Sequence, residues 1–114
     1  MVMKTKLQLY EGMFIINASL SEDARKKALE KVTSTIEESG GTIHKIHEQG
    51  RKKLAYTIEK KKEGFYFVVF FDAPNNSLVP LRREFHLHED LLRFLILRAE
   101  EVAEKIEFKR LEEE

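Results

Sequence analysis

The stretch Glu63–Asp72, EGFYFVVFFD, constrains the fold more than any other part of the chain. Five of the seven residues from Phe65 to Phe71 are aromatic and the other two are valine. Aromatic and β-branched residues favour strands, and a run of this size has the length of a strand and falls far short of a membrane span. Alternate side chains of a strand point to opposite faces. Phe65, Phe67, Val69 and Phe71 therefore form one row, and Tyr66, Val68, Phe70 and Asp72 the other. Both rows are apolar, the pattern of a central strand with cover on each face. The row without a polar member is assigned to the main core. The row carrying a phenol and a carboxylate is expected to form a patch that needs a partner, because large exposed apolar patches are uncommon on monomers.

The segments on either side supply the rest of an α+β domain. From Leu7 to Ile16, Tyr10, Phe14 and Ile16 occupy even positions, while Glu11 is odd, as are Met13 and Ile15. An isolated buried carboxylate is costly, so the even row of this first strand is placed inward and Met13 and Ile15 on the opposite face. Ser19 or Ser21 caps a helix with Glu22 and Asp23 in its first turn and Leu20, Ala24, Ala28, Val32 and Ile36 at four-residue spacing, widened by Leu29. Gly40-Gly41 stops it. A second strand runs from Thr42 to Ile58 with a bulge near Gln49-Gly50, and Lys60 to Gly64 is read as the hairpin turn. Asn75-Asn76-Ser77 offers caps for a second helix bearing Leu78, Leu81 and Phe85, with Pro80 tolerable in its first turn and an end near His88. Leu91 to Leu97 is the last strand, and Arg93 points away from the core.

The order β-α-β-β-α-β is the ferredoxin-like split β-α-β: a four-stranded antiparallel sheet, strands one and three central, two helices on one face. The other face is left open. Residues 1–98 form this one domain, as 114 residues, 42% of them hydrophobic, suffice for one modest core. Residues 99–114 read as an acidic tail, with seven acids against three bases from Glu100 on; it is partly helical through Val102, Ile106 and Leu111, or disordered, as at Glu112 to Glu114.

Composition excludes several function classes. Twenty basic and twenty acidic side chains leave a formal net charge of zero, so no global field draws in nucleic acid or an anionic membrane. Cysteine is absent, which removes disulfides, thiol catalysis and cysteine-ligated zinc. With no membrane span and no secretory apolar segment, a cytoplasmic protein is expected. His44 with His47 and His86 with His88 lack a third ligand, so they read as solvent-facing imidazoles and no metal or cofactor is expected. Serines 19, 21, 34, 39 and 77 lie in capping or helical contexts without a paired base. Acylphosphatases share the topology, but they carry a glycine-rich phosphate loop with an arginine where this chain has Asn17-Ala18-Ser19-Leu20. An enzyme is therefore disfavoured.

The positive signal is local. Lys45, Arg51, Lys52, Lys53, Lys60, Lys61 and Lys62 face only Glu48 and Glu59 across one hairpin, with Tyr56 interleaved. Such a finger can follow a phosphate backbone; it can equally be a solvated strand edge guarded by lysine. The stretch Gly64, Phe65, Phe67, Val68, Phe70 also resembles part of the RNA recognition motif, with Met13-Phe14-Ile15-Ile16-Asn17 as a partner motif. That family stacks bases on the row of Phe65 and Phe67, which strand parity here sends inward.

A broader resemblance covers residues 8–98. Tyr10-Glu11, Gly40-Gly41-Thr42-Ile43, Gly50-Arg51-Lys52-Lys53-Leu54-Ala55-Tyr56-Thr57-Ile58, Gly64-Phe65-Tyr66, and Glu89 followed by Leu92-Arg93 resemble the bacterial small-subunit ribosomal protein six family in order and spacing. Gln49 stands where many members have tryptophan, and Thr57 where proline is common. The resemblance implies a non-enzymatic ribosomal subunit, monomeric when isolated, that binds the central domain of small-subunit ribosomal RNA together with ribosomal protein eighteen. It implies RNA contacts at Arg51, Lys52, Lys53 and Arg98, and a protein-partner face of Met13, Ile15, Tyr66, Val68, Phe70, Arg93 and Leu95. The alternatives are a stand-alone RNA-binding domain and a ferredoxin-like oligomer or small-molecule regulator.

Overall fold

The computed structural model describes residues 6–58 and 61–102. Lys60 and the tail beyond Val102, with Ile106 and Leu111, lie outside the described residues. Six elements follow in order: β1 (Leu7–Asn17), α1 (Glu22–Glu38), β2 (Thr42–Ile58), β3 (Lys61–Pro74), α2 (Leu78–His86) and β4 (Leu91–Arg98). The sheet order is β2-β3-β1-β4, every neighbouring pair antiparallel, so β1 and β3 are central as their two-sided hydrophobicity requires.

The helix boundaries follow from local chemistry. The Ser21 hydroxyl accepts the Ala24 N–H at 3.2 Å, so Ser21 and not Ser19 caps α1. Gly40 ends the helix with φ of +96°, a conformation costly for a residue with a Cβ, and the Gly41 N–H then closes on the Ile36 carbonyl at 3.0 Å. Ser77 stands at the start of α2, but its hydroxyl donates back to the Pro74 carbonyl at 2.6 Å and does not cap. Pro80 falls in the first turn, where its missing N–H has no helical acceptor to lose.

The hairpin is tighter and longer than its glycine and lysine content suggests. β3 already begins at Lys61, and Gly64 lies inside the ladder opposite both Asn17 and Lys52. The register shifts between Glu48 and Gly50, where Gly50 has φ of +81°, which is the expected bulge.

Two apolar clusters flank the sheet. Tyr10, Phe14, Ile16, Phe67, Val69, Phe71 and Ile96 meet Ala28, Val32 and Ile36 of α1 and Leu81 and Phe85 of α2. Phe14 anchors this cluster, stacked on Phe67 at 5.3 Å and edge-on to Phe85 at 5.1 Å. Strand parity therefore holds on β1 and β3. Phe65 differs from its row: it is half-buried, because it pairs with Ile16 near the end of β1, where a guanidinium covers its ring in place of apolar helix side chains. The second cluster comprises Ile15, Leu54, Tyr66, Val68 and Phe70, with Met13, Leu92, Ala99 and Val102 packed against it.

Candidate functional site

The basic residues of the hairpin divide by strand parity. Arg51 lies opposite Phe65 and Lys53 opposite Glu63, which sends both to the helix side of the sheet, while Lys52 between them faces the other way. Arg51 and Lys53 line an open cradle of about 580 Å³ with Lys61, Lys62, Glu63 and the β1–α1 loop residues Asn17, Ala18 and Ser19. The loop is held rigid by its own hydrogen bonds, because both the N–H and the hydroxyl of Ser19 donate to Asn17 Oδ1, at 3.0 and 2.8 Å. Arg51 ties the hairpin to it, donating from Nη2 to the Ala18 carbonyl at 3.2 Å, and its Nη1 stands 3.7 Å from a Glu63 carboxylate oxygen. Four cations around one carboxylate, on a rigid frame, make a place where an anion of phosphate type is favoured.

Arg98 is not part of this group. It pairs with Tyr10, six residues before Ile16 along β1, so roughly 20 Å of strand separates it from the cradle at about 3.3 Å per residue. Its guanidinium donates to Gln8 Oε1 at 2.8 Å. Arg25 of α1, by contrast, was not singled out by the sequence reasoning and lies close to the basic end: its guanidinium carbon stands 3.7 Å above the centroid of the Phe65 ring. The available signal was its position one turn before Leu29, on the flank of the apolar stripe.

The face opposite the helices is not the open patch expected from the sequence. Tyr66, Val68 and Phe70 are 7%, 0% and 1% exposed, Ile15 is buried and Met13 half-buried. The physical reason is cover from within the chain. Leu54, from the far part of β2, and Ala99 and Val102, after β4, pack on this row. The chain is directed there by a further ladder bond, the Ala99 N–H donating to the Leu9 carbonyl at 3.0 Å. The polar groups of the face are engaged as well: Lys45, His47, Tyr66 and Arg93 each have an interaction partner. What stays accessible on this side is the β4 edge, where Arg93 is exposed and Leu95 and Leu97 are 49% and 47% exposed.

The histidines divide into different roles. His44 Nε2 stands 2.7 Å from Asp72 Oδ2, a cross-strand pair, and His47 lies edge-on to the Phe70 ring. His88 is buried, not solvent-facing; its Nδ1 accepts the Asp90 N–H at 3.2 Å and helps turn the chain from α2 into β4. Among the described residues no group of three His, Cys, Asp or Glu side chains is placed to hold a metal. None of the described helices is long and apolar enough to cross a membrane. Phe67 faces the helices and is only 4% exposed, so stacking bases on the Phe65 and Phe67 rings together, in the manner of the RNA recognition motif, is sterically closed.

Comparison with known proteins agrees with this arrangement. The family model of ribosomal protein S6 matches residues 9–98. The small ribosomal subunit protein bS6 of Protochlamydia amoebophila is 53% identical over 113 residues, covering 98% of this chain and 99% of that protein. Its counterpart in Chlamydia trachomatis serovar L2 is 55% identical over 106 residues, covering 93% and 95%. The crystal structure of 30S ribosomal protein S6 from Thermotoga maritima superposes with a TM-score of 0.77 at 34% identity, covering 82% of this chain and 89% of that one. The chemotaxis kinase CheA P2 domain, also from Thermotoga maritima, superposes at 0.55 with 13% identity, a likeness of fold alone. The ferredoxin-like α+β fold, the specific Gly50–Ile58 segment and these matches over almost the whole length place the chain in the ribosomal protein S6 family, the non-enzymatic structural proteins of the small ribosomal subunit.

Proposed function

We propose that this protein binds the central domain of small-subunit ribosomal RNA jointly with ribosomal protein eighteen, in the bacterial cytoplasm, and is monomeric before assembly. The observation that carries the RNA half is the cradle of Arg51, Lys53, Lys61 and Lys62 against the rigid Asn17-Ala18-Ser19 loop. In a chain of zero net charge this local concentration of cations favours a phosphate backbone. Lys52, on the opposite side of β2, and Arg98, at the far end of β4, act as outlying backbone contacts.

The protein partner docks on the β4 side of the sheet. Exposed Arg93 and Leu95 offer a charge-assisted hydrogen bond beside an apolar contact, and Leu97 extends the row. Met13, Ile15, Tyr66, Val68 and Phe70 form the packed bed beneath that row. Because the RNA-facing charge is local and modest, a partner that adds its own cations and orders the complex raises RNA affinity well above that of either protein alone.

The test is salt-dependent binding of central-domain ribosomal RNA with and without equimolar ribosomal protein eighteen. Tight binding that needs both proteins, and that loses salt sensitivity when Arg51 and Lys53 are changed to glutamine, is the expected result. Equal affinity without the partner would refute the joint reading.

A further inference from the structure

Beside the phosphate-type cradle lies a second, differently built cleft. It measures about 310 Å³ and is lined by Glu22, Arg25, Lys26 and Leu29 of α1, Ile16 of β1, Glu48 and Gly50 of β2, and Phe65, Tyr66 and Phe67 of β3. Its charges balance, two acids against two bases, whereas the cradle has four bases against one acid. Its floor is aromatic: Phe65, half-buried and capped by the Arg25 guanidinium carbon at 3.7 Å. Arg51 joins the two sites, since it lines the cradle while its own guanidinium carbon stands 5.7 Å from the centroid of the same Phe65 ring.

We propose that the Arg25–Phe65 pair is a stacking platform for one unpaired nucleobase of an RNA strand whose adjoining phosphate occupies the Arg51–Lys53–Lys61–Lys62 cradle. A guanidinium held flat by an aromatic ring presents a second planar, weakly hydrated surface, which is what a base stacks on. Glu22 and Glu48 repel a phosphate from the cleft but accept hydrogen bonds from the amino or imino edge of a base. The neutral, aromatic cleft and the cationic cradle thus match the two chemically different halves of a nucleotide and set its direction, base toward α1 and phosphate toward the hairpin. The inference deepens the RNA reading above and rests on it. A double helix, whose bases are stacked within the duplex, cannot use the platform, so the site selects an unpaired or bulged nucleotide.

The experiment uses the full-length protein at low ionic strength. The probes are a single-stranded RNA dodecamer carrying one 2-aminopurine and a blunt duplex of matched length. The single strand should bind more tightly than the duplex, with quenching of the 2-aminopurine. Arg25→Ala should weaken single-strand binding roughly 5- to 150-fold, the range for loss of one base stack. Arg25→Lys, which keeps the charge and removes the plane, should lose the quenching while the slope of log affinity against log salt stays unchanged. Lys26→Ala removes the same charge from the same cleft without a stack and serves as the control. If Arg25→Ala costs no more than Lys26→Ala, or if duplex and single strand bind alike, the platform is refuted while the RNA-binding reading stands. If neither probe binds and central-domain RNA also fails to bind in the presence of the partner, both are refuted. Arg25 is half-buried over the Phe65 ring, so thermal unfolding is followed for each variant and binding is compared at a temperature where all are folded.

Discussion

Phe70→Ala distinguishes a second core from a partner-binding surface. Phe70 lies on the face away from both helices, yet it is 1% exposed, packed with Val68, Tyr66 and Ile15 and met edge-on by His47 with ring centroids 5.9 Å apart. Truncating a fully buried phenylalanine removes its transfer free energy and leaves a cavity, together about 3–5 kcal/mol. Against a total stability on the order of 5–15 kcal/mol, that is about a fifth or more of what holds a small domain together. At about 4 °C per kcal/mol for a chain of this size, the midpoint should fall by roughly 12–20 °C. Leu95→Ala is the matched control: same face, one strand removed from β3 through Met13, but 49% exposed, so it should cost about 1 kcal/mol or less. Urea and thermal unfolding followed by far-ultraviolet circular dichroism measure both. If Phe70→Ala costs no more than Leu95→Ala with an unchanged urea slope, the ring is open in solution and the case for internal cover fails.

Three further outcomes follow from single features. Gly50→Ala meets no steric obstacle, since a built Cβ finds no atom within 4 Å, but the positive φ of the bulge should still cost about 1 kcal/mol, seen as a lower urea midpoint. Val102→Asp places a carboxylate against the second cluster and should cost about 1–3 kcal/mol in the same assay; no change would show that the segment after β4 does not pack there. His44→Ala removes a cross-strand pair that is 37% and 28% exposed, at a second register shift of β2 between Ile43 and Lys45, and should cost under about 1 kcal/mol, whereas a larger loss would mean the pair organises that shift.

The sequence carried the fold because its strongest signals agree. Two-sided hydrophobicity in Phe65–Phe71 demands a central strand, Glu11 fixes the parity of β1, and the caps and glycines bound α1. Parity alone also separated the two clusters. What escaped it were effects of distance along the chain. The cover on Tyr66, Val68 and Phe70 comes partly from Ala99 and Val102, about thirty residues later in the sequence, where a few apolar residues among acids read as a tail, partly helical or disordered. Arg25 was missed for a similar reason. Its contact is with Phe65, forty residues away, and its position on the flank of the apolar stripe, one turn before Leu29, does not by itself identify that ring. Charge at neighbouring positions does not show that alternation places Lys52 on the other side of the sheet from Arg51 and Lys53, nor that Arg98 lies at the far end of β1 from them.

Internal cover changes what partner binding can mean for this chain. If ribosomal protein eighteen needs only the Arg93–Leu95–Leu97 edge, the segment through Ala99 and Val102 stays in place and partner affinity is independent of its packing. If the partner reaches the bed of Tyr66, Val68 and Phe70, that segment must first leave, and every 1.4 kcal/mol it contributes weakens the observed affinity tenfold. The two routes give opposite signs for one variant. Val102→Asp, which loosens the segment and lowers stability, should leave partner affinity unchanged in the first case and raise it in the second. The first route is the one proposed above, because Arg93, Leu95 and Leu97 are accessible without rearrangement, whereas Tyr66, Val68 and Phe70 are 7%, 0% and 1% exposed.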